Sequence, residues 1–565
     1  MCGICGVYIF DHDRVPDLET LIENIRADKS KTNLAIPDEI RGSDLKSSNA
    51  MAAGFAYALL NYLQHRGYHS SGIVSFDGSK MNVSKGMGYI RDVFTQKNLE
   101  SCVGDKAIGH TRYATTGRPL EQNVQPFAER FAIGHNGNIV NERELRASIS
   151  LWKYLRHAFE LKSDTDSELI LYAIENYWDD NLKFYENIGK VLKEFVIGSY
   201  SLAMIAENNL AGIRDPRGVW PLNIAQIGGM CILSSEEQAI RKLVELSGYK
   251  GGIDFIREVE NGEIISAGDE GGWISHKGIL QPMPSRRCCM DWSYLTSPDE
   301  PAVGEFRYAC GKIHGKMFKS EGRKADYVTG IPQSGIIPAQ GFADGSGIKY
   351  QQGAIAISPY YTGRQFLREY FAQEKFVYDE MRLKGSRVVV TEDTLIKANT
   401  MEAIIKRTRE NGVEELHVRI CFPPYITGCE LGIHTNKDSL IARELDPEQV
   451  MPESNVEKLV EMYFLSRFFG VDYKREELIE RVKKPDFSIR EIVEESIKRE
   501  MNFLGREKTG KIDELRFSLK YLTKEQIDEA YKAVGINPEG VCNGCISPNA
   551  KGYAEEMGKF VIGAV

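Results

Sequence analysis

Met1-Cys2-Gly3-Ile4-Cys5-Gly6-Val7 opens this chain, and how it is read decides what the rest must fold around. Removal of Met1 would leave Cys2 carrying a thiol and a free α-amine together. A thiolate is the reactive form of cysteine, and it needs a nearby base or a lowered pKa. An α-amine titrates near ~8, so its neutral form can take a thiol proton at physiological pH. The start thus reads as a nucleophile with its own base. The alternative is a buried, inert cysteine, the usual fate of a free thiol.

Outward from there, residues 1 to about 280 are rich in short β-type runs. These include Cys5-Gly-Val-Tyr-Ile-Phe10, Lys106-Ala-Ile-Gly-His110, Phe131-Ala-Ile-Gly-His135 and Ser199-Tyr-Ser-Leu-Ala-Met-Ile205, punctuated by Gly, Asn and Asp. Helical spacing appears from Asp166 to Tyr177 and from Leu182 to Val196. This predicts an α+β layered domain with antiparallel sheets. From about 300 to 450, strand-like runs alternate with amphipathic helices: Ala325 to Gly330, Ala354 to Ile357, Arg387 to Val390 and Leu416 to Ile420, with Thr400 to Asn411 as a crossover helix. That is the pattern of parallel βαβ units. Residues 452 to about 535 are highly charged with helix-like spacing and read as solvated outer helices. Residues 26 to 52 read as a polar insertion.

The chain has 565 residues, 42% hydrophobic and 27% charged, an ordinary globular composition. Its length predicts two or three domains. No stretch approaches the ~18 uncharged apolar residues of a membrane helix, and no basic-then-apolar leader opens the chain. We therefore expect a cytoplasmic protein without a membrane partner. The net charge of -9 argues against nucleic acid as a partner. Eleven cysteines, unevenly spread, point to metal or catalysis before disulfides.

Polar clusters punctuate the first half: Gln64-His-Arg-Gly67, Gly109-His-Thr-Arg-Tyr-Ala-Thr-Thr-Gly117, Gly134-His-Asn-Gly-Asn138, Ser163-Asp-Thr-Asp-Ser-Glu168, Arg214-Asp-Pro-Arg-Gly218 with Trp220-Pro-Leu222, and Ser234-Ser-Glu236. Together with Cys2, this set resembles the class II glutamine amidotransferases, amide hydrolases with an N-terminal nucleophile. The resemblance implies an αββα sandwich over residues 2–285. It implies Cys2 as nucleophile, Asn136 and the Gly137 N–H as oxyanion hole, and Arg66 beside the nucleophile. It implies Arg112, Asp166 and Thr115 around the glutamine. The chemistry suits these types: an oxyanion needs preorganised donors, a guanidinium matches a carboxylate, and a carboxylate matches an ammonium. Arg66 also reads as an ion-pair partner of a buried acid. One departure is plain: Tyr68-His69 follows Gly67 where the family pattern has Gln-Asp.

In the second half the decisive segment is Arg387-Val-Val-Val-Thr-Glu-Asp-Thr-Leu-Ile-Lys-Ala-Asn-Thr400. A buried parallel strand ends in two acids, and a polar loop then leads into a helix. Ligands of open α/β sheets bind at the carboxyl ends of strands, and helix N-termini attract phosphate. With Ile331-Pro-Gln-Ser-Gly335 and Tyr361-Thr-Gly-Arg-Gln-Phe366, this segment resembles type I phosphoribosyltransferases. The resemblance implies Glu392 and Asp393 at the ribose, directly or through Mg²⁺, with Ser334 and Thr394 in the same phosphoribosyl site. It implies Lys397, Asn399 and Thr400 at the 5-phosphate, and Arg364 in a lid. The departures are Lys397-Ala-Asn-Thr400 in place of Arg-Gly-Thr-Thr, Ser358-Pro-Tyr360 in place of basic residues, and a shortened lid.

Cys542-Asn-Gly-Cys545 is a CxxC that does not open a helix after a strand, so a metal or cluster is expected. Joined, the halves resemble the glutamine phosphoribosylpyrophosphate amidotransferases. That resemblance implies a [4Fe–4S] cluster on Cys288, Cys429, Cys542 and Cys545, with Cys289 as substitute for Cys288; zinc on the same sulfurs is the rival. Its structural role would be to staple the tail to the junction. It further implies a phosphoribosyltransferase domain over 286–450, a helical extension over 451–565 and a homo-oligomer, dimer or tetramer. Glutamine and phosphoribosylpyrophosphate are the expected substrates, and 5-phosphoribosylamine the product. Two alternatives stay open here: a glutaminase serving a different acceptor, and a non-catalytic sensor.

Overall fold

A computed structural model describes residues 2–28, 36–114, 118–156, 161–206, 208–268, 271–357, 376–395, 398–425 and 517–546, together with 429, 431, 460, 464, 480 and 481. Among the described residues the first half forms two antiparallel sheets stacked face to face. One has seven strands in the order Phe255–Glu258, Asn223–Ile227, Met230–Ser234, Gly3–Ile9, Lys106–Arg112, Ser70–Phe76 and Met81–Met87. The other has six: Ile274–His276, Ile264–Ala267, Asn209–Arg214, Gly198–Ala206, Ala132–Ile139 and Phe127–Ala128.

Ile4, Val74 and Ile108 from the first sheet meet Ala203, Ile205, Leu210 and Ile265 from the second in a buried layer. Both faces of each sheet are therefore apolar, and each needs an outer cover. Helices Leu18–Ala27, Met51–Leu63 and Glu237–Ser247 cover the first sheet. Helices Glu142–Arg156, Asp166–Asn176 and Phe184–Phe195 cover the second. This is the αββα sandwich expected from the sequence. Every residue of Met51–Leu63 is buried, as a helix apolar all round requires.

The stretch 26–52 is not a solvent-side appendage. Ile36, Ile40 and Leu45 join the same core, and helix Gly42–Ser47 packs there. Its polar composition hides three apolar anchors.

The second half holds a parallel sheet in the order Tyr327–Gly330, Arg387–Glu392, Glu415–Ile420 and Phe517–Tyr521. Helices Pro301–Ser320 and Ile336–Ser346 pack together, and Ile336–Ser346 lies against Tyr327–Gly330. The expected crossover helix is Ala398–Glu410.

Two expectations need correction. The run Ala354 to Ile357 is not in the parallel sheet: Ile355–Ile357 pairs antiparallel with Phe376–Tyr378 in a separate ribbon. Residues 451–565 are not a purely helical extension either. Phe517–Tyr521 supplies the sheet's fourth strand, so the sheet does not end at residue 450. Phe517, Ser518, Leu519 and Tyr521 are all buried, as a strand of a covered parallel sheet requires. In the charged region before it, Val460 and Phe464 are fully buried. No helix among the described residues is long and apolar enough to cross a membrane.

Candidate active site

The strand Gly3–Ile9 runs antiparallel to Lys106–Arg112 with Gly3 opposite Thr111. This register sets Cys2 beside the residues that leave that strand. The buried Cys2 thiol donates to the Tyr113 carbonyl at 3.8 Å, and its main-chain nitrogen donates to Asn136 Oδ1 at 3.3 Å.

Asn136 and Gly137 come from the facing sheet, in strand Ala132–Ile139. Asn136 Nδ2 is buried and has no hydrogen-bond partner among the described residues. An unpaired buried donor costs free energy, and one left open beside a thiol suits a developing oxyanion. Gly137 leaves no room for a side chain: a Cβ there would lie 2.0 Å from Ser199 O and 2.6 Å from His135 Nε2.

Arg112 ends its strand, buried, with Nη1 donating to the Arg118 carbonyl at 3.1 Å. Burial lowers its pKa, and the charges of Cys2 and Asp166 act against that burial. Asp166 opens helix Asp166–Asn176, where its Oδ2 accepts the Ile139 N–H at 3.1 Å. The structure therefore brings Cys2, Asn136, Gly137, Arg112 and Asp166 together. Thr115 lies outside the described residues. His110 and His135 are packing groups: burial holds His110 down to about 3 and depresses His135, although Asp166 stands 3.8 Å from it.

Arg66 lies in the turn Gln64–Arg66 after helix Met51–Leu63 and has no exposed surface. Nε donates to the Cys2 carbonyl at 3.1 Å. Nη1 donates to Glu236 at 2.7 Å and to Thr296 Oγ1 at 3.2 Å, and Nη2 donates to Asp291 at 3.0 Å. His65 Nε2 reaches the same Glu236 oxygen at 2.8 Å. Burial alone would raise Glu236, but His65 and Arg66 outweigh it and pull the carboxyl down to about 2. Burial likewise opposes the charge on Arg66, and Asp291 and Glu236 more than restore it. Arg66 is thus hydrogen-bonded to the Cys2 carbonyl and paired with buried acids at once. Sequence reasoning missed Glu236, Asp291 and Thr296 as its partners, and His65 as a further partner of Glu236.

In the second half, Glu392 closes strand Arg387–Glu392, and Asp393 and Thr394 follow; all three are buried. Ser334 Oγ donates to Glu392, and Thr391 Oγ1 donates to the Gly335 carbonyl at 2.7 Å. A Cβ on Gly335 would stand 2.1 Å from Thr391 O, so this loop and strand touch backbone to backbone. Burial and the neighbouring charge of Asp393 hold Glu392 well above the usual carboxylate range. Burial also raises Asp393, against the pull of Arg307. Asp393 Oδ2 is buried without a partner among the described residues. Two such acids suit ribose hydroxyls or a hard cation. Arg364 and Lys397 lie outside the described residues. Asn399 and Thr400 fall in the first turn of helix Ala398–Glu410, and their side chains are also outside them.

The cysteines of the tail return to the junction. Arg287–Cys288 pairs in parallel with Val541–Cys542, Cys288 opposite Cys542. Cys289 Sγ lies 3.5 Å from Cys545 Sγ. Burial and the sulfurs of Cys429, Cys545 and Cys542 push the Cys288 thiol well above its ordinary range. Five cysteines therefore share one neighbourhood. Among the described residues no three Cys, His, Asp or Glu side chains converge as for a single metal ion.

Residues 110–242 match the family described as a glutamine amidotransferase domain. An amidophosphoribosyltransferase of Synechocystis sp. is 33% identical over 72% of this chain and 82% of its own. That of Methanothermobacter thermautotrophicus is 33% identical over 71% and 84%, and that of Bacillus subtilis is 32% identical over 72% and 84%. A solved structure of the allosteric regulatory enzyme of purine biosynthesis superposes with a TM-score of 0.67 at 25% identity, covering 97% of this chain and 95% of its own. The glutamine phosphoribosylpyrophosphate amidotransferase of B. subtilis, complexed with ADP and GMP, gives a TM-score of 0.65 at 24% identity, with 97% and 96% coverage, a likeness of fold.

Proposed function

This chain belongs to the amidophosphoribosyltransferase family, and from that premise we propose how its own residues divide the work. It is an enzyme that forms 5-phosphoribosylamine from glutamine and phosphoribosylpyrophosphate, the first step of purine biosynthesis. The different acceptor and the non-catalytic sensor are not favoured. The observation that carries the division is the unpartnered Asn136 Nδ2 beside the Cys2 nitrogen.

With Met1 removed, the Cys2 amine takes the thiol proton and the sulfur attacks the glutamine side-chain carbonyl. The tetrahedral oxyanion forms toward Asn136 Nδ2 and the Gly137 N–H. Its collapse breaks the C–N bond, the amine returns the proton to the departing ammonia, and a thioester remains. Water then hydrolyses the thioester to glutamate. Arg112 takes the α-carboxylate and Asp166 the α-ammonium, and Thr115 is a further glutamine-binding residue. Arg66 holds the Cys2 carbonyl, which fixes the nucleophile's main chain.

Ammonia then displaces pyrophosphate at C1 of the sugar. Ser334, Glu392, Asp393 and Thr394 hold the ribose side, Lys397, Asn399 and Thr400 hold the 5-phosphate, and Arg364 belongs to a closing lid. The unpartnered Asp393 Oδ2 fits a role for Mg²⁺, which would neutralise pyrophosphate charge when bound. Cys288, Cys429, Cys542 and Cys545, with Cys289 as substitute, fit a [4Fe–4S] cluster. The corner irons of a cluster each take one thiolate, so four sulfurs need not converge on a point. The domains divide between residues 285 and 286, and the second takes its fourth sheet strand, Phe517–Tyr521, from the tail after 450. The enzyme works in the cytoplasm as a homo-oligomer.

The decisive assay supplies glutamine labelled at the amide nitrogen and follows the label. We expect labelled 5-phosphoribosylamine from the wild type. Cys2→Ala should lose that product while keeping ammonia-dependent synthesis. Glutamine hydrolysis that phosphoribosylpyrophosphate neither stimulates nor consumes, or loss of both activities in the variant, would refute the division.

A further inference from the structure

His69 is one of the two residues, Tyr68 and His69, at which the first half of this chain leaves the family pattern, and the chemistry above does not use it. Its Nδ1 accepts the Ala114 main-chain N–H at 2.9 Å, which makes that nitrogen an unprotonated acceptor. Its own main-chain N–H donates to the Arg112 carbonyl at 2.9 Å, and its carbonyl accepts the Gly88 N–H at 2.9 Å. The ring meets Tyr113 edge-on at 5.4 Å and Tyr68 at 4.8 Å, and Tyr68 meets Tyr113 edge-on at 5.2 Å.

One residue thus grips three in succession: Arg112 by main chain, Tyr113 by ring and Ala114 by Nδ1. The strand ladder stops at Ser70 opposite Arg112. Beyond that point the ladder no longer fixes the backbone, and the His69 side chain takes over. The segment it fixes touches the nucleophile, because the Tyr113 carbonyl receives the Cys2 thiol and the Arg112 side chain shares its field with Cys2 and Asp166.

We propose that His69 is a positioning residue for glutamine hydrolysis, clamping Ala114 so that Tyr113 and Arg112 keep their places around Cys2 and the incoming amino acid. This rests on the assignment of Cys2 as nucleophile. Tyr68 meets the same Tyr113 ring at 5.2 Å, so the clamp that position 69 alone supplies is the Nδ1 hydrogen bond to Ala114. An aspartate at position 69 would offer the same N–H a charged acceptor, whereas His69 offers a neutral one.

Two substitutions separate acceptor from ring. His69→Phe keeps an aromatic ring against Tyr113 and removes the acceptor. His69→Asn keeps an acceptor oxygen close to the position of Nδ1 and removes the ring. Both are assayed in the full-length enzyme for glutamine hydrolysis and for ammonia-dependent synthesis. In His69→Phe, kcat/KM for glutamine should fall roughly tenfold, the loss expected for one neutral hydrogen bond, mainly through KM. Its ammonia-dependent turnover should stay at the wild-type level. His69→Asn should stay within about twofold of wild type in both assays. The proposal is overturned if His69→Phe matches the wild type, if His69→Asn is damaged as much as His69→Phe, or if ammonia-dependent turnover falls in parallel. Absence of glutamine hydrolysis in the wild type would instead strike the Cys2 assignment, and His69 with it.

Discussion

Replacing Arg66 with methionine removes the cation facing two buried carboxylates while keeping a long apolar stem. Among the described residues Glu236 would retain His65 at 2.8 Å and the Ser297 N–H at 3.3 Å, and Asp291 would retain Arg287 at 3.6 Å. Breaking a buried ion pair costs about 3–5 kcal/mol, and these remaining neighbours place the expected loss near the lower end. Glu236 is drawn down to about 2 by His65 and Arg66 together, so Arg66 supplies only part of that depression.

The sign follows from the depressed carboxyl. Its contribution is fully present above the unfolded pKa of ~4.3 and is lost as pH falls toward 2. The variant keeps the His65 share and lacks the Arg66 share, so its gap from wild type should be full at pH 7 and should narrow between about pH 4 and 2. Thermal unfolding of the full-length pair, followed at the transition of the amino half, measures this. At ~2 °C per kcal/mol, a drop on the order of 6–10 °C is expected at pH 7. A drop below about 2 °C at pH 7, or a gap that stays constant down to about pH 3, would refute the assignment of Arg66 as the counter-charge of this cluster.

Two further outcomes are expected. Asn136→Ala should lower kcat for glutamine hydrolysis by about 10²–10³ with little change in KM, and a steady-state effect confined to KM would remove Asn136 from the oxyanion site. Cys542→Ser should lose iron and the visible absorbance of the cluster in anaerobically purified protein. Full iron content in that variant, or zinc in stoichiometric amount in the wild type, would displace the proposed ligand set.

The nucleophile's surroundings were legible because each member sits in a short polar cluster at a strand end. Cys2, Arg112, Asn136 and Asp166 come from four separate segments, and only a two-sheet stack brings them together. The ion cluster around Arg66 was half legible. A buried arginine demands acids, but Glu236 and Asp291 lie 170 and 225 residues away, and nothing local marks either as its partner. The strand Phe517–Tyr521 carried a signal that went unread. Phe517-Ser-Leu-Lys-Tyr521 alternates apolar and polar residues, yet it follows a long charged stretch whose helical spacing dominates the composition. Ala354 to Ile357 shows the reverse difficulty: an apolar run announces a strand without saying which sheet it joins.

Because the parallel sheet takes its last strand from Phe517–Tyr521, its making is tied to the order in which the ribosome delivers the chain. Ile420 emerges ~100 residues earlier, a wait of ~5–20 s at ordinary elongation rates. During that interval the edge of Glu415–Ile420 has no neighbour of its own, and Cys288 has no Cys542 beside it. The glutamine-binding half, whose strands all lie within the first 280 residues, has no such wait. Nascent chains should therefore mature in two stages, with the nitrogen-releasing half complete well before the sugar-binding half that must receive its product.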